Sequence, residues 1–238
     1  VGSGITLSKD GDIFATGVTT ATTFVGALTG NVTGNATGLS GTPNISAGTI
    51  AGSTGTFTGD VDIADKIVHT GDTDTAIRFP AADTITAETG GSERLRINSD
   101  GRLLVGSNSI RSVGGSANSG YFQIEGTSAN SSSMSLINNQ NSTQSPAIRF
   151  GKTRGTSDGA VTTVASDDVL GRITFTGADG TDLENSTAVI EAKVNGTVAG
   201  NQIPTDLVFE TSATNGNSKT EKLRITSGGN VNIGGNYT

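Results

Sequence analysis

The sequence has no cysteine, no tryptophan and only 4 prolines, and aromatic residues make up 4% of it. Without cysteine it has no disulfides, zinc–thiolate sites or cysteine nucleophiles, and its redox compartment stays undetermined. No apolar run approaches the roughly 20 residues of a membrane-spanning helix, so we expect no membrane insertion. The net charge of −7 argues against nucleic acid as a partner, because binding nucleic acid requires clustered lysine and arginine.

Hydrophobic residues are also scarce, at 32% against the usual ~45–50%. A lone chain of this composition buries little apolar area to set against roughly 1–2 kcal/mol of backbone entropy per residue. Isoleucine, valine, threonine and phenylalanine nevertheless recur at strand spacing, which is not typical of disorder. We therefore expect the apolar surface to be buried between chains. Since the chain begins at Val1 without methionine or a signal-like segment, we also expect a fragment of a longer protein.

A glycine repeat dominates the first quarter of the chain. From Gly26 to Gly38 glycine returns at every fourth residue, and threonine directly precedes Gly30, Gly34 and Gly38. A helix is disfavoured because each glycine costs roughly 1 kcal/mol relative to alanine, and collagen needs glycine at every third position. The repeat predicts an extended shaft over residues 26–59, ordered by packing against copies of itself.

The rest of the chain divides by composition into β modules. An Asp-Gly turn between short apolar runs predicts a hairpin or connector over 1–25. The remaining predicted regions are a first β module (60–106), a Ser/Asn-rich connection (107–145), an antiparallel β-sandwich-like module (146–212) and a second copy of the terminal hairpin (213–238).

Two sequence repeats support modular construction. The segment 88–97 is echoed by 210–225, with a loop six residues longer, and each copy ends in a turn and a short strand. Ala76–Phe79 recurs as Ala147–Phe150. In the first copy Leu95 and Ile97 alternate with arginines, so the apolar and the charged side chains occupy opposite faces. Further strands are predicted at Val61–Ile63, Met134–Ile137, Ile148–Phe150 and Val161–Val164.

Candidate metal ligands are few. Aspartates next to glycine offer oxygen ligands for calcium, but none matches a known loop pattern, and solvated turn residues are the simpler interpretation. These aspartates are Asp10, Asp12, Asp60, Asp62, Asp65, Asp72 and Asp74. The single histidine, His69, would form a ring of three imidazoles on a threefold axis, but an exposed turn position is the simpler interpretation.

A glycan-cleaving site would need two carboxylates about 5–10 Å apart, usually with aromatic residues that stack on sugar rings. The available carboxylates are Asp167, Asp168, Asp179, Asp182 and Glu184, and aromatic residues near them are sparse. We therefore assign no catalytic, cofactor-binding or metal-binding residue, and we expect the chain not to be an enzyme.

Several segments of the sequence resemble segments of tail fibres and related structural proteins of tailed phages, especially those of marine cyanobacteria. They are the shaft segment 24–41, the block 75–80 leading into 92–97, and the segments 151–155 and 170–180. The resemblance implies an all-β, elongated, intertwined homotrimeric virion fibre that reaches toward the host. Such proteins often carry a self-cleaving chaperone domain after a strand like Gly101–Gly106, and that domain is expected to be absent, removed or on another chain here.

The resemblance makes a trimeric tail fibre the first hypothesis, with other tail or baseplate proteins and a host surface glycan or protein as partners. A bacterial trimeric adhesin stalk and a glycan-degrading tailspike are the alternatives. Loops 107–145 and 212–220 are the predicted receptor contacts, since weak contacts multiply in a trimer. The residues expected to pack between subunits are Ile77, Phe79, Leu95, Ile97, Ile148, Phe150, Leu223 and Ile225.

Overall fold

The computed structural model describes the backbone of residues 5–7 and 13–15, and residues 55–115, 119–213 and 218–234. The described chain is all-β, which confirms the predicted fold class. The predicted shaft lies mostly outside these residues. Its described end, 55–59, contains no strand. The candidate ligands Asp10 and Asp12 also lie outside the described side chains.

In the N-terminal unit, the described residues 5–7 and 13–15 form an antiparallel hairpin. Its strands are β1 (Ile5–Leu7) and β2 (Ile13–Ala15), with Leu7 opposite Ile13 and Ile5 opposite Ala15. This register confirms the hairpin that the Asp-Gly signal predicts.

The second unit begins at Gly59 and contains two larger sheets. The first sheet is a meander of five antiparallel strands closed on one side by a parallel sixth strand. Its strands are β3 (Lys66–His69), β4 (Asp72–Arg78), β5 (Ile85–Thr89), β6 (Ser92–Ile97), β7 (Leu103–Val105) and β8 (Phe122–Ile124).

The second sheet is a meander of five antiparallel strands in sequence order. Its strands are β9 (Val169–Thr176), β10 (Ser186–Val194), β11 (Thr205–Ser212), β12 (Lys219–Ile225) and β13 (Val231–Ile233). The only described helical segment is a single 3-10 turn at Asn130–Ser132, so the described part contains no helix that is long and apolar enough to cross a bilayer.

The two meanders are structural repeats, strand for strand. In the first sheet Ala87 pairs with Leu95 and a β-bulge follows before Glu88 pairs with Glu93. In the second sheet Phe209 pairs with Leu223 and the same bulge precedes the pairing of Glu210 with Glu221. The repeat predicted between 88–97 and 210–225 is therefore confirmed down to the bulge.

Equivalent turns connect the last two strands of each meander. The amide of Asn98 donates to the carbonyl of Arg102 at 3.1 Å, and that of Thr226 donates to Asn230 at 2.9 Å. Each turn places a glycine at positive φ, Gly101 at 76° and Gly229 at 85°, where a side chain would be strained.

The second predicted repeat is wrong in its structural meaning. Ala76–Arg78 lies in β4, but the position equivalent to β4 in the second sheet is occupied by β10, in which Ile190 pairs with Phe209 as Ile77 pairs with Ala87. Ala147–Phe150 belongs to no strand. Strands are likewise missing at the other predicted sites, 61–63, 134–137 and 161–164. These segments have strand-like sequences, but none pairs with a second strand of the described chain, and a single extended segment satisfies no ladder of hydrogen bonds.

The sheets cross two of the predicted domain boundaries. Strand β8 comes from the predicted connecting region 107–145 and completes the first sheet. Strands β12 and β13, predicted as a separate hairpin over 213–238, continue the sheet of β9–β11.

Candidate assembly surfaces

The first sheet carries a face made almost entirely of aliphatic side chains, which we call its apolar face. One row of paired residues crosses all six strands and a second row crosses four. The first row is Ile67, Ile77, Ala87, Leu95, Val105 and Ile124. The second row is Ile85, Ile97, Leu103 and Phe122. Much of this face is open to solvent: Ile77 is 48% exposed and Phe122 is 52% exposed.

The second sheet repeats this face. Its first row is Ile173, Ile190, Phe209, Leu223 and Ile233. Its second row is Gly171, Ala192, Leu207, Ile225 and Val231. The outer strands are the more open, with Ile173 49% and Ile233 68% exposed. Because side chains alternate between faces along a strand, both rows lie on the same side of the sheet.

The opposite face of each sheet is charged and partly buried, and we call it the ion-pair face. In the second sheet Arg172 donates from Nε and Nη2 to Oε2 of buried Glu191, at 2.9 and 2.7 Å. In the first sheet Arg96 donates from Nε and Nη2 to Glu93, at 2.7 and 2.6 Å. Val189, Val208 and Leu104, which belong to the small described core, lie among these pairs.

Asp206 is the hub of the ion-pair face in the second sheet. Its side chain is fully buried and accepts hydrogen bonds from Nη1 of Arg224 at 2.6 Å, Nδ2 of Asn195 at 2.8 Å and the amide of Ser227 at 2.8 Å. Burial opposes ionisation of this carboxyl, but the hydrogen bonds from Arg224, Ser227 and Asn195 outweigh it and lower its pKa. Arg224 also holds Glu221, which lowers the pKa of that carboxyl. The charged side of the sheet is thereby satisfied within the chain.

The described protein thus departs from the usual pattern, because the buried carboxylates Glu191 and Asp206 lie on one face of a sheet while many aliphatic side chains of the other face are open to solvent. Contiguous exposed apolar surface of this extent marks an interaction surface in a soluble protein. The chain itself covers part of the ion-pair face: the amide of Gly114 donates to the carbonyl of Leu183 at 2.9 Å, and Gly114 lies against Thr174 and Thr176 of β9. On the apolar face of the second sheet, the described residue Phe150 makes such a contact.

Phe150 lies directly over Gly171 at the β9 side of the second apolar face. A Cβ atom on Gly171 would come within 2.5 Å of the Phe150 Cβ atom. The phenyl ring borders a groove of about 320 Å³ that is also lined by Leu170, Ile190 and Leu207. The pair Gly171–Ala192 is equivalent to Asp65–Phe79 in the first sheet, so Phe150 supplies the ring that Phe79 supplies there.

The residues predicted to pack between subunits mostly lie on these two faces. Ile77, Leu95 and Ile97 belong to the first apolar face, and Leu223 and Ile225 belong to the second. Phe79, Ile148 and Phe150 lie outside the strands and are 40–60% exposed. Their burial between subunits stays a prediction.

The predicted metal ligands are dispersed or engaged. Asp65 pairs with Arg78, from Nε to Oδ1 at 3.0 Å, and Asp60 and Asp62 are exposed before β3. A hydrogen bond shared by the carboxyls of Asp72 and Asp74 raises the pKa of Asp74 and lowers the pKa of Asp72. His69 is exposed at the end of β3. Across the described ranges, no three histidine, aspartate or glutamate side chains gather in a group that could hold a metal ion.

The carboxylates considered for glycan cleavage each make local contacts. Asp168 accepts from Arg154 at 2.7 and 2.8 Å, which holds its pKa well below the usual range. Asp167 pairs with Lys193 at 3.0 Å. Asp179 accepts the amides of Thr181 and Asp182, which lowers its pKa, and Asp182 accepts the amide of Glu184. These contacts are those of turn and strand-end residues.

Sequence reasoning missed Asp206 and the ion-pair face of the second sheet. A signal was present, since an aspartate inside the apolar strand Thr205–Ser212 needs a buried partner and Arg224 is the basic residue of the neighbouring repeat. Part of the predicted receptor loop 107–145 also has structural contacts, because Gly114 packs on β9 and Arg111 pairs with Glu125 at 2.5 Å.

Two solved structures share this fold. One is the carboxy-terminal domain of the bacteriophage T5 L-shaped tail fibre with its intramolecular chaperone domain, with a TM-score of 0.55 and 15% identity over 71% of this chain and 52% of that chain. The other is the carboxy-terminal domain of the same fibre, with a TM-score of 0.54 and 16% identity over 71% of this chain and 75% of that one. This chain thus spans about half the length of the first structure. No protein-family profile and no curated protein sequence matches it.

Proposed function

We propose that this chain is a structural subunit of a bacteriophage tail fibre, a homotrimer that extends from the virion and supports attachment to the host cell surface. The observation that carries the proposal is the open apolar face repeated on both sheets. The shared fold with the T5 tail fibre domains and the resemblance of the shaft and strand segments to phage fibres point the same way.

Burial of the two apolar faces contributes free energy of about the size that association costs. Eleven aliphatic or aromatic side chains on them are between 38 and 68% exposed. They are Ile67, Ile77, Ile85, Ile97, Phe122, Ile173, Leu207, Ile225, Val231, Ile233 and also Phe175, which lies two residues after Ile173 and therefore on the same face. Burying the open half of each contributes roughly 1 kcal/mol, which amounts to about 10 kcal/mol per chain. That is comparable to the roughly 4–15 kcal/mol lost in translational and rotational freedom on association.

In this proposal the chain has an architectural role rather than a catalytic one. The fibre binds other tail or baseplate proteins, and the Ser/Asn-rich loops within 107–145 and 212–220 contact a glycan or protein on the host surface. Three copies of a weak loop contact raise the avidity without any single strong site.

The test is a charge placed in the middle of the first apolar face. Ile77 is half exposed, so Ile77→Asp costs an isolated chain little, whereas a trimer that buries the face must accommodate three unpaired carboxylates. We expect the parent to show a mass near three times 23.8 kDa by light scattering. On dilution, the variant should dissociate at a protein concentration at least ten times higher than the concentration at which the parent dissociates. Val161→Asp is the matched control, because Val161 is 96% exposed and lies outside both sheets. A parent that remains a folded monomer, or an Ile77→Asp protein that dissociates like the control, contradicts the proposal.

A further inference from the structure

The two meanders differ at one edge. In the first sheet the outer edge of β7 carries β8 as a parallel strand. In the second sheet β13 occupies the place of β7, and no strand of the described chain pairs with its outer edge. The opposite edges, β3 and β9, are both without a partner strand among the described residues, so only the β13 edge has an equivalent that shows what it accepts.

The β7 edge shows which kind of strand such an edge binds. The amide of Leu103 donates to the carbonyl of Tyr121 at 2.7 Å, and the amide of Glu125 donates to the carbonyl of Val105 at 3.0 Å. The added strand places Phe122 and Ile124 in the two rows of the apolar face and Gln123 on the other face. The occupant is therefore a short extended segment of apolar, polar and apolar residues.

The β13 edge offers the same groups. The amide of Gly234 donates to the carbonyl of Lys222 at 3.0 Å, as that of Gly106 donates to Arg94 at 3.2 Å. Hydrogen-bonded pairs alternate in an antiparallel ladder, so Asn232 faces β12 while Val231 and Ile233 direct their amides and carbonyls outward. Both outward residues are more than half exposed. An unpaired edge next to an open apolar face is a template for another strand.

We infer that the β13 edge of one copy receives Ala147–Phe150 of a second copy as a parallel strand. Ile148 then lies opposite Val231, Arg149 opposite Asn232, and Phe150 opposite Ile233. This inference rests on the proposed trimer and specifies which segment each chain donates to its neighbour.

Three features of Ala147–Phe150 make it the occupant. It has the same four residues as Ala76–Phe79, three of which form part of β4, so the sequence is competent to form a strand in this protein. It makes no backbone hydrogen bond to any described residue, and Arg149 has no ion pair in the described chain. Ile148 and Phe150 alternate around Arg149 as Phe122 and Ile124 alternate around Gln123, and they are 60% and 58% exposed.

The donor must be a second copy. Phe150 lies over Gly171 in β9, which is the outer strand on the far side of the sheet from β13. Four inter-strand spacings separate the two outer strands, which is roughly 19 Å. A segment at the β9 side of one chain that pairs with β13 of the next chain links the sheets head to tail, and such a contact closes into a ring when the rotation between copies is 120°.

The rival segment is Met134–Leu136, which also alternates apolar and polar residues. With Met134 and Leu136 on the apolar face, the next residue, Ile137, would place an apolar side chain on the ion-pair face. Ile137 is 79% exposed in the chain. In the first sheet the equivalent residue after β8 is Glu125, which is charged, so the structure favours Ala147–Phe150.

A cysteine-free chain permits a direct test. In the parallel register Arg149 and Asn232 lie opposite each other on the same face, with Cα atoms about 4.8 Å apart, within the span of a disulfide. We expect Arg149→Cys/Asn232→Cys, after mild oxidation, to run on a non-reducing denaturing gel mainly as covalently linked trimers. A disulfide within one chain would leave the mobility of a monomer. The control Ser135→Cys/Asn232→Cys should remain uncross-linked.

Each outcome decides between the hypotheses. Suppose that the parent is trimeric by light scattering. If Arg149→Cys/Asn232→Cys then forms no cross-link, or if the control Ser135→Cys/Asn232→Cys does form one, the inference is overturned and the proposed trimer stands. A parent that is monomeric removes both. If the double variant misfolds, Val231→Pro is the second test, because proline there removes one outward amide and no bond to β12. It should raise the concentration at which trimers dissociate at least tenfold, and dissociation like that of the parent contradicts the inference.

Discussion

Removing the guanidinium of Arg224 should destabilise the protein far more than removing that of Arg96. The two arginines occupy equivalent places in the two meanders, and each pairs with a glutamate three residues earlier. Arg224 alone also neutralises a fully buried carboxylate, that of Asp206. The position equivalent to Asp206 in the first sheet is Thr84, whose hydroxyl donates to the carbonyl of Ala82 at 3.1 Å.

The difference between the two sites sets the magnitude. Breaking a buried pair and leaving one charge behind costs about 3–5 kcal/mol, and the 22% exposure of the Arg224 side chain favours the lower end of that range. The pair of Arg96 with Glu93 is partly exposed, at 20% and 23%, and is worth about 0–1 kcal/mol. Methionine retains most of the apolar stem in both cases. We therefore expect Arg224→Met to lose roughly 2–4 kcal/mol more free energy of unfolding than Arg96→Met.

Urea unfolding followed by far-ultraviolet circular dichroism, at one protein concentration and pH 7, measures this difference. The double variant Arg224→Met/Asp206→Thr should recover most of the loss, because it recreates the residue found at Thr84. Equal losses for the two single variants would show that Asp206 is not held by Arg224. A double variant no more stable than Arg224→Met would show that the buried charge is not the cause.

Two further outcomes follow from close contacts and from charge. Gly171→Ala should lower the free energy of unfolding by about 1–3 kcal/mol, because the new Cβ atom would overlap the Cβ atom of Phe150. The control Gly177→Ala would place its Cβ atom more than 4 Å from any other atom and should leave the melting temperature nearly unchanged. Equal melting temperatures of the two variants would refute the contact. On acidification, the lowered pKa of Asp206 predicts a stability contribution that is complete above the unfolded-state pKa of about 3.9 and is lost as the pH falls below it toward the folded-state pKa. An acid titration from pH 7 to pH 2 should show a steeper loss for the parent than for Asp206→Asn, and identical profiles would contradict the assignment.

Much of each meander is predictable from the sequence because its signals are local. Alternation around Leu95 and Leu223 defines the apolar faces, and the Asp100-Gly101 turn and the Gly228-Gly229 turn set the return of the chain. The spacing from Glu88 to Glu93 and from Glu210 to Glu221 preserves the pairing across loops of different length. These features depend on neighbours in sequence, which a single sequence displays.

The rest depends on neighbours in space. The segments Ile148–Phe150 and Val161–Val164 have strand-like composition, but a strand needs a partner edge. The Ala76–Phe79 repeat predicts that Ile148–Phe150 is the counterpart of β4, and in the structure β10 occupies that position in the second sheet. The buried role of Asp206 depends on Arg224 and Asn195, which lie 18 and 11 residues away in sequence. Propensity alone therefore predicted strands at positions where the described chain has no partner for them.

The open apolar faces bear on how such a chain matures. In the proposed trimer, a newly made copy completes the burial of its aliphatic rows when it meets other copies. The yield of native protein then depends on a competition between correct assembly and aggregation, and it passes through an optimum as the protein concentration rises.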